Sequence, residues 1–327
     1  ALAPQILNHA MRLVGLLFQG CLILSWPIRC AGLRTPSEAE PLQRLVYGAE
    51  NRSCPNRLQL TRQSGRSKPV IVGGDVVQSR KEFPFLAWIG DDDLTPVGLH
   101  FCGGAAISER LVLTAAHCLY DGAREPLNSQ IRVRLQLLDF GKEVGVARRV
   151  INWKRHEAFN GEHMFNDVGL LLLDKPLPKK AIVPVKLSNG TQDYERSSNL
   201  TVAGWGSTDE WCQDFDTLLR SSAVPAGNSG PDCSVPGSRE LKSSQDFDVE
   251  RQLCAGLFGQ GGLRHAGCGD SGGPLLARDG GDWVQVGVLS WRYKQGFPDV
   301  YTRVSAYGGW IESAGAALLA QGRNEMA

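Results

Sequence analysis

Gly267-Cys268-Gly269-Asp270-Ser271-Gly272-Gly273-Pro274 decides how this chain is read. A serine set between a carboxylate and two glycines, in a Gly-rich turn, has little reason to exist for packing alone. Glycines permit backbone angles that side chains forbid, so consecutive N–H groups can converge on one point. Such a turn suits an oxyanion hole, with the N–H groups of Gly269 and Ser271 aimed at a developing negative oxygen. Ser271 is then the expected nucleophile, and a serine hydroxyl needs a neighbouring base to act as one.

Far upstream, Leu111-Val112-Leu113-Thr114-Ala115-Ala116-His117-Cys118 is an apolar run that ends in small residues and a histidine. Between the two stretches, Asn166-Asp167 stands at the mouth of the apolar strand Val168-Gly169-Leu170-Leu171-Leu172-Leu173. The order His117, Asp167, Ser271 is that of the chymotrypsin-like triad, not of the other hydrolase folds. On these residues the chain resembles the trypsin-like (chymotrypsin-fold) serine proteases from about Ile71 onward. The likeness is carried by Ile71-Val72-Gly73-Gly74, Thr114-Ala115-Ala116-His117-Cys118, Asn166-Asp167 and Gly269-Asp270-Ser271-Gly272-Gly273-Pro274.

The resemblance implies an all-β fold of two packed six-stranded antiparallel β-barrels with a C-terminal α-helix. It also implies a serine endopeptidase that works through an acyl-enzyme, needs no cofactor and is made as a zymogen. The partners it implies are protein or peptide substrates, protein protease inhibitors and an activating protease. A catalytically silent homologue that binds a partner is the alternative, and retention of all three triad residues speaks against it.

Composition agrees with one large all-β domain plus extra segments in 327 residues. A formal net charge of +1 offers no basic surface for nucleic acid. The 38 glycines suit many short strands joined by tight turns, and nine cysteines point to an oxidising compartment. Met11-Arg12, the apolar Leu13 to Phe18 and Leu22 to Leu24, and the exit Cys30-Ala31-Gly32 read as a secretory signal peptide. Gln19, Pro27 and Arg29 keep the apolar run below the roughly 20 residues that cross a bilayer, so no membrane anchor is expected. The residues before Met11 fit no signal peptide and read as translated upstream sequence.

Residues 1–31 are therefore read as upstream residues and signal peptide, and 32–70, rich in Arg, Ser, Pro, Glu and Gln, as a propeptide or linker. The protease domain takes 71–327, with an N-terminal barrel over about 71–185, a C-terminal barrel over about 186–305 and a helix over about 306–319. Strands are expected at Phe85–Ile89, Gly104–Ile107, Leu111–Thr114, Ile131–Leu138 and Val168–Leu173. A second group is expected at Leu200–Ala203, Pro274–Ala277, Trp283–Ser290 and Val300–Val304. Asn51, Asn189 and Asn199 head glycosylation sequons, which also arise by chance. No metal-ligand spacing, phosphate loop or nucleotide fingerprint is present.

By resemblance His117 is the general base, Asp167 its orienting carboxylate, and Gly269 and Ser271 the oxyanion donors. Asp270 is expected to pair with the α-amino group freed at Ile71, because a buried carboxylate without its cation costs about 3–5 kcal/mol. Ser290-Trp291 is expected to pair with an extended substrate backbone. The expected disulfides are Cys102–Cys118 and Cys233–Cys254. Cys212 and Cys268 are a further candidate pair, with Cys54 as the other possible partner of Cys268.

Five features depart from the family. No basic residue directly precedes Ile71, where the chain reads Lys68-Pro69-Val70. The position where basic-specific members carry an acid, six residues before the serine, is His265, followed by Ala266 and Gly267. One cysteine of the usual pocket disulfide is missing between Trp291 and Pro298. The family's pocket-base glycine is replaced by Asp299, and Arg292 stands where the family usually has glycine. The resulting expectation is cleavage after Arg, less readily after Lys, with Arg292 folding over the pocket onto Asp299.

Overall fold

The structure, a computed structural model, describes residues 71, 74–91, 99–119, 131–194, 199–209, 212–227, 247–256, 265–292 and 298–324. The expected signal peptide and propeptide, with Asn51 and Cys54, lie outside the described residues, as does Cys233. No helix among the described residues is long and apolar enough to cross a membrane.

After a short β1 (Asp75–Val76), six strands form the first half of the fold: β2 (Leu86–Asp91), β3 (Leu99–Ala106), β4 (Leu111–Thr114), β5 (Ile131–Leu135), β6 (Val146–Arg155) and β7 (Gly169–Leu173). They close into an antiparallel barrel in the order β2-β3-β4-β7-β6-β5. Every residue of β7 is buried. One face of a barrel strand points inward by the two-residue period, so the unbroken Leu170–Leu173 run needs cover on its outer face as well. Helix α1 (Gly308–Asn324) supplies that cover: Gly315 and Gly322 let its backbone approach Leu170 and Leu172 without a side chain between. The helix follows a 3-10 turn over Val304–Tyr307 and runs past Leu319, where Asn152 Nδ2 donates to Gln321 Oε1 at 3.1 Å.

The second half comprises β8 (Lys186–Leu187), β9 (Leu200–Gly204), β10 (Arg220–Val224), β11 (Gln252–Ala255), β12 (Pro274–Asp279), β13 (Asp282–Arg292) and β14 (Asp299–Arg303). Together with β1 they make an eight-stranded sheet along β1-β10-β9-β12-β13-β14-β11, with β8 joined in parallel to β13. The sheet curls until its ends meet: Ala226 bridges Ala255, Gly227 N–H donates to Cys254 O and Gly256 N–H to Pro225 O, both at 2.9 Å. Six strands, β10-β9-β12-β13-β14-β11, thus wrap one apolar interior through that narrow seam. Leu200, Val202, Leu275, Val286, Leu289 and Tyr301 fill it.

Each expected strand contributes to a ladder, while β1, β6, β8, β10 and β11 are not expected from the sequence. The crossing between the barrels is what builds the site. The end of β4 runs into His117, Asp167 lies two residues before the start of β7, and the Gly267–Gly273 turn leads directly into β12. Gly103 N–H in β3 donates to Ser271 O at 2.8 Å, and Thr114 Oγ1 donates to Gly103 O at 2.8 Å, so the first barrel grips the serine turn of the second.

Candidate active site

Asp167 is fully buried and receives hydrogen bonds from both directions. Its Oδ1 accepts the backbone N–H of His117 at 2.8 Å, and its Oδ2 accepts His117 Nδ1–H at 2.7 Å and the Ser290 hydroxyl at 2.5 Å. Thr302 Oγ1 donates to the Asp167 carbonyl at 2.8 Å and holds its backbone. Just upstream, Asn166 adopts φ +56° while its side chain donates to Ala158 O at 2.8 Å and accepts from the Tyr307 hydroxyl at 3.0 Å. Asparagine tolerates the left-handed region better than most residues, which explains the Asn-Asp order at this corner. With Nδ1–H donated to a carboxylate, neutral His117 presents Nε2 as its acceptor nitrogen.

Ser271 comes to His117 through the Cys102–Cys118 disulfide. The Cys118 sulfur lies 3.8 Å from His117 Nε2 and 3.6 Å from Ser271 O. Cys102, His117 and Cys118 also bring three metal-type ligand atoms within 4.8 Å of one another. Both sulfurs are bonded to each other, so neither is the thiolate a metal site needs.

The turn itself directs its donors selectively. Gly267 N–H donates to Asp270 Oδ2, Cys268 N–H to Ser207 Oγ, Asp270 N–H to Gly267 O, Gly272 N–H to Leu289 O and Gly273 N–H to Asp270 O. Among the described residues only the N–H groups of Gly269 and Ser271 in this turn lack a protein acceptor. Gly269 (φ +95°) and Gly272 (φ +78°) supply the left-handed angles this path requires.

Asp270 is buried, with Oδ1 accepting Gly206 N–H at 2.8 Å and Oδ2 accepting Gly267 N–H at 2.7 Å. A methyl on Gly204 or Gly206 would collide with this carboxylate, so both positions must be glycine. Burial pushes its pKa up to about 6, against those N–H groups and the Arg292 charge, with the Asp299 charge adding to the rise. Ile71 is buried in the second-barrel core, and it lines one small cavity with Asp270, Leu289 and Tyr301. Its φ of +38° is a conformation a β-branched residue rarely adopts.

Beside this turn, His265, Ala266, Asp299 and Arg292 come together, while Trp291 packs with Met164, Cys254 and Val300. Asp299 is buried and its Oδ2 accepts Ala266 N–H at 2.7 Å; Arg292 is its cross-strand neighbour in the β13–β14 ladder. Burial raises the Asp299 pKa, opposed by His265, Arg292 and the Ala266 N–H. Arg292 Nη1 donates to Ala266 O at 3.1 Å, and Nη2 lies 3.5 Å from the Cys268 sulfur and 3.9 Å from that of Cys212. The guanidinium therefore faces Asp299 across the Ala266 peptide; it does not form the direct contact with the carboxylate expected from the sequence.

Residues 71–311 match the family model described as Trypsin. The chain belongs to the trypsin family. Among similar trypsin-family proteins, the "Trypsin" of Phaedon cochleariae is 34% identical over 216 residues, 65% of this chain and 78% of the relative. "Trypsin-1" of Astacus astacus is 32% identical over 251 residues, covering 74% of this chain and 99% of the relative. "Trypsin 5G1" of Aedes aegypti is 34% identical over 256 residues, 77% of this chain and 85% of the relative. This trypsin-family chain is accordingly a serine-type endopeptidase, a hydrolase.

Within this trypsin-family site the structure adds residues that the sequence did not single out. Ser207 is fully buried and bonds Cys268 on both sides of its backbone. His100 stacks on Trp88 and packs near Gly269, and desolvation holds its imidazole down to about 4, hence neutral at physiological pH. A lone histidine following a run of aspartates in the sequence gives no sign of such a place. Cys212 is bonded to Cys268, with Cα atoms 5.6 Å apart. Cys254 is disulfide-bonded, and its expected partner, Cys233, lies outside the described residues.

Proposed function

We propose that this endopeptidase works through Ser271, His117 and Asp167, is secreted as a zymogen activated at Ile71, and cleaves after Arg in preference to Lys. The observation that carries the catalytic reading is the buried Asp167 carboxylate, which binds His117 at Nδ1 and at its backbone N–H. In the neutral ring that pairing places the proton on Nδ1, so that Nε2 can take the Ser271 hydroxyl proton as Oγ attacks the substrate carbonyl carbon. Charge then develops on the carbonyl oxygen, and the unpartnered N–H groups of Gly269 and Ser271 are the donors suited to receive it. His117 next passes its proton to the leaving amine as the C–N bond breaks, and a water molecule repeats the sequence to release the acyl-enzyme.

A fluorophosphonate probe tests the nucleophile. The form beginning at Ile71 is expected to label, and Ser271→Ala is expected not to. An unlabelled wild type would instead support the silent-homologue reading.

Disulfides among the described residues agree with an oxidising destination, and so support secretion. The domain organisation proposed with it is a signal peptide within 1–31, a propeptide over 32–70 and the protease domain from 71 onward.

The specificity proposed rests on Asp299, a buried carboxylate, with His265, Ala266, Ser290, Trp291 and Arg292 as the residues proposed to bind substrate beside it. A substrate guanidinium satisfies more of its lone pairs than an ammonium does. Arg292 donates to Ala266 O, and in this reading it must release that carbonyl before a long substrate side chain reaches Asp299. One such hydrogen bond is worth about 1 kcal/mol, so Arg292→Gly is expected to raise kcat/KM on short Arg substrates about fivefold. Asp299→Gly should remove the Arg preference, a loss of roughly 10- to 100-fold for a charged hydrogen-bond pair. A substrate-library profile that favours Phe, Leu or Val before the scissile bond would overturn this specificity.

A further inference from the structure

Residues 206–209 and 212–216 lie against the serine turn and hold both neighbours of Gly269. On one side, Ser207 N–H donates to the Cys268 carbonyl at 2.7 Å, Cys268 N–H donates to Ser207 Oγ at 2.9 Å, and Cys268 Sγ is bonded to Cys212. On the other side, Gly206 N–H donates to Asp270 Oδ1 at 2.8 Å. These residues are themselves braced. Asp209 Oδ1 accepts the N–H groups of Gln213 and Asp214 at 2.9 and 2.8 Å, Thr208 N–H donates to Asp214 O at 2.7 Å, and Ser207 bridges Phe215.

A trans peptide is planar, with its C=O and the following N–H pointing in opposite directions. Because the Cys268 carbonyl is turned to meet Ser207, the Gly269 N–H must point away from it. That N–H is one of the two in the turn without a protein acceptor. Glycine at φ +95° has no side chain to resist rotation of this peptide, so its orientation depends on what holds the Cys268 side.

We propose that Ser207 and the Cys212–Cys268 disulfide are positioning elements for catalysis, locking the Cys268–Gly269 peptide so that the Gly269 N–H serves the oxyanion. The inference rests on the reading of Gly269 as an oxyanion donor. Neither Ser207 nor Cys212 touches the reacting atoms; each acts through Cys268. The disulfide also gives the Arg292 guanidinium its resting place, so its loss acts on the substrate slot separately from its effect on the oxyanion.

The test compares wild type with the double variant Cys212→Ala/Cys268→Ala, which leaves no unpaired thiol at the site, both prepared with Ile71 as the N-terminus. Complete loss of one oxyanion donor lowers kcat by roughly 10²–10³, so a misdirected one is expected to lower it by about tenfold or more. Affinity for a peptide aldehyde, which becomes a tetrahedral oxyanion on Ser271, should fall by the same factor as kcat, whereas a merely stabilising cross-link would lower the melting temperature and leave both unchanged. Ser207→Ala keeps the disulfide and should move kcat and aldehyde affinity together in the same direction by a smaller factor. It carries the test alone should the double variant not fold.

Unchanged kcat and aldehyde affinity in the variants that fold, or a loss confined to KM, overturns the proposal. Wild type that fails to label with a fluorophosphonate would overturn the catalytic reading itself. Labelled wild type with variants equal to it overturns only the positioning role.

Discussion

Asp167→Asn is expected to lower kcat by roughly 10⁴ with KM little changed, the magnitude known for the same exchange in the family's template enzyme. The geometry here explains why an isosteric change should cost so much. Oδ1 faces the backbone N–H of His117, which can only donate, so the amide oxygen of asparagine must take that side. The NH₂ group is then forced to the Oδ2 side, where it meets His117 Nδ1 and the Ser290 hydroxyl. An NH₂ donor makes Nδ1 the acceptor, which moves the ring proton to Nε2, the nitrogen that must accept from Ser271. The base is lost although every side chain stays in place. Steady-state kinetics with a melting curve separates this from unfolding: the melting temperature should hold within a few degrees while kcat collapses. A variant with more than a tenth of wild-type kcat would remove Asp167 from this role.

Much of this site could be read in the residues because chemistry constrained them closely. The Gly-rich turn, the histidine after an apolar run and the carboxylate before β7 each have few other uses, and all meet at the barrel crossing. The uninterrupted Leu170–Leu173 run marks a strand in the sequence, and β7 is that strand, buried along its whole length. By contrast, β6 carries Arg148, Arg149, Lys154 and Arg155 along a mostly half-buried strand, so no clean alternation marks it. Its place is set by ladders to β5 and β7. In β10, Arg220-Ser221-Ser222-Ala223-Val224 is too polar to signal a strand, and four residues of β11 are too few to show a period.

Ser207 escaped notice for a different reason. Its partners are backbone atoms of a residue 61 positions away, a contact that leaves no compositional trace. The Cys212–Cys268 pair was legible only through the resemblance, which places the two loops near each other. From the sequence, Arg292 is expected to lie on Asp299. Its guanidinium found acceptors at Ala266 O and the sulfurs first, and only the tertiary arrangement of those atoms decides between the two.

Cleavage that makes Ile71 the N-terminus is expected to raise kcat/KM by about a hundredfold or more, because Asp270 then gains the cation that its burial demands. In the uninterrupted chain this carboxylate has backbone N–H partners but its pKa still rises from 3.8 to about 6 through burial. An acid that binds its proton more tightly in the folded state stabilises that state below its unfolded pKa. The contribution of Asp270 to the uncut arrangement should therefore be fully present below about pH 4 and be lost, on the order of 3 kcal/mol, as pH rises through about 6. An ammonium on Ile71, whose side chain already lines the same cavity, reverses the sign. It favours ionised Asp270, and Asp270 in turn raises the amine above its usual value of about 7.7–8.0. That stabilisation is complete below the unfolded amine pKa and is lost as pH rises through the higher folded value. Melting temperatures of cut and uncut forms across pH 4 to 10 should thus diverge near neutrality, and acetylation of the Ile71 amine should return the cut form to uncut activity. A secreted protein that is fully active with its N-terminus mapped upstream of Val70 would show that Asp270 finds its compensation elsewhere, and the activation mechanism would fall with it.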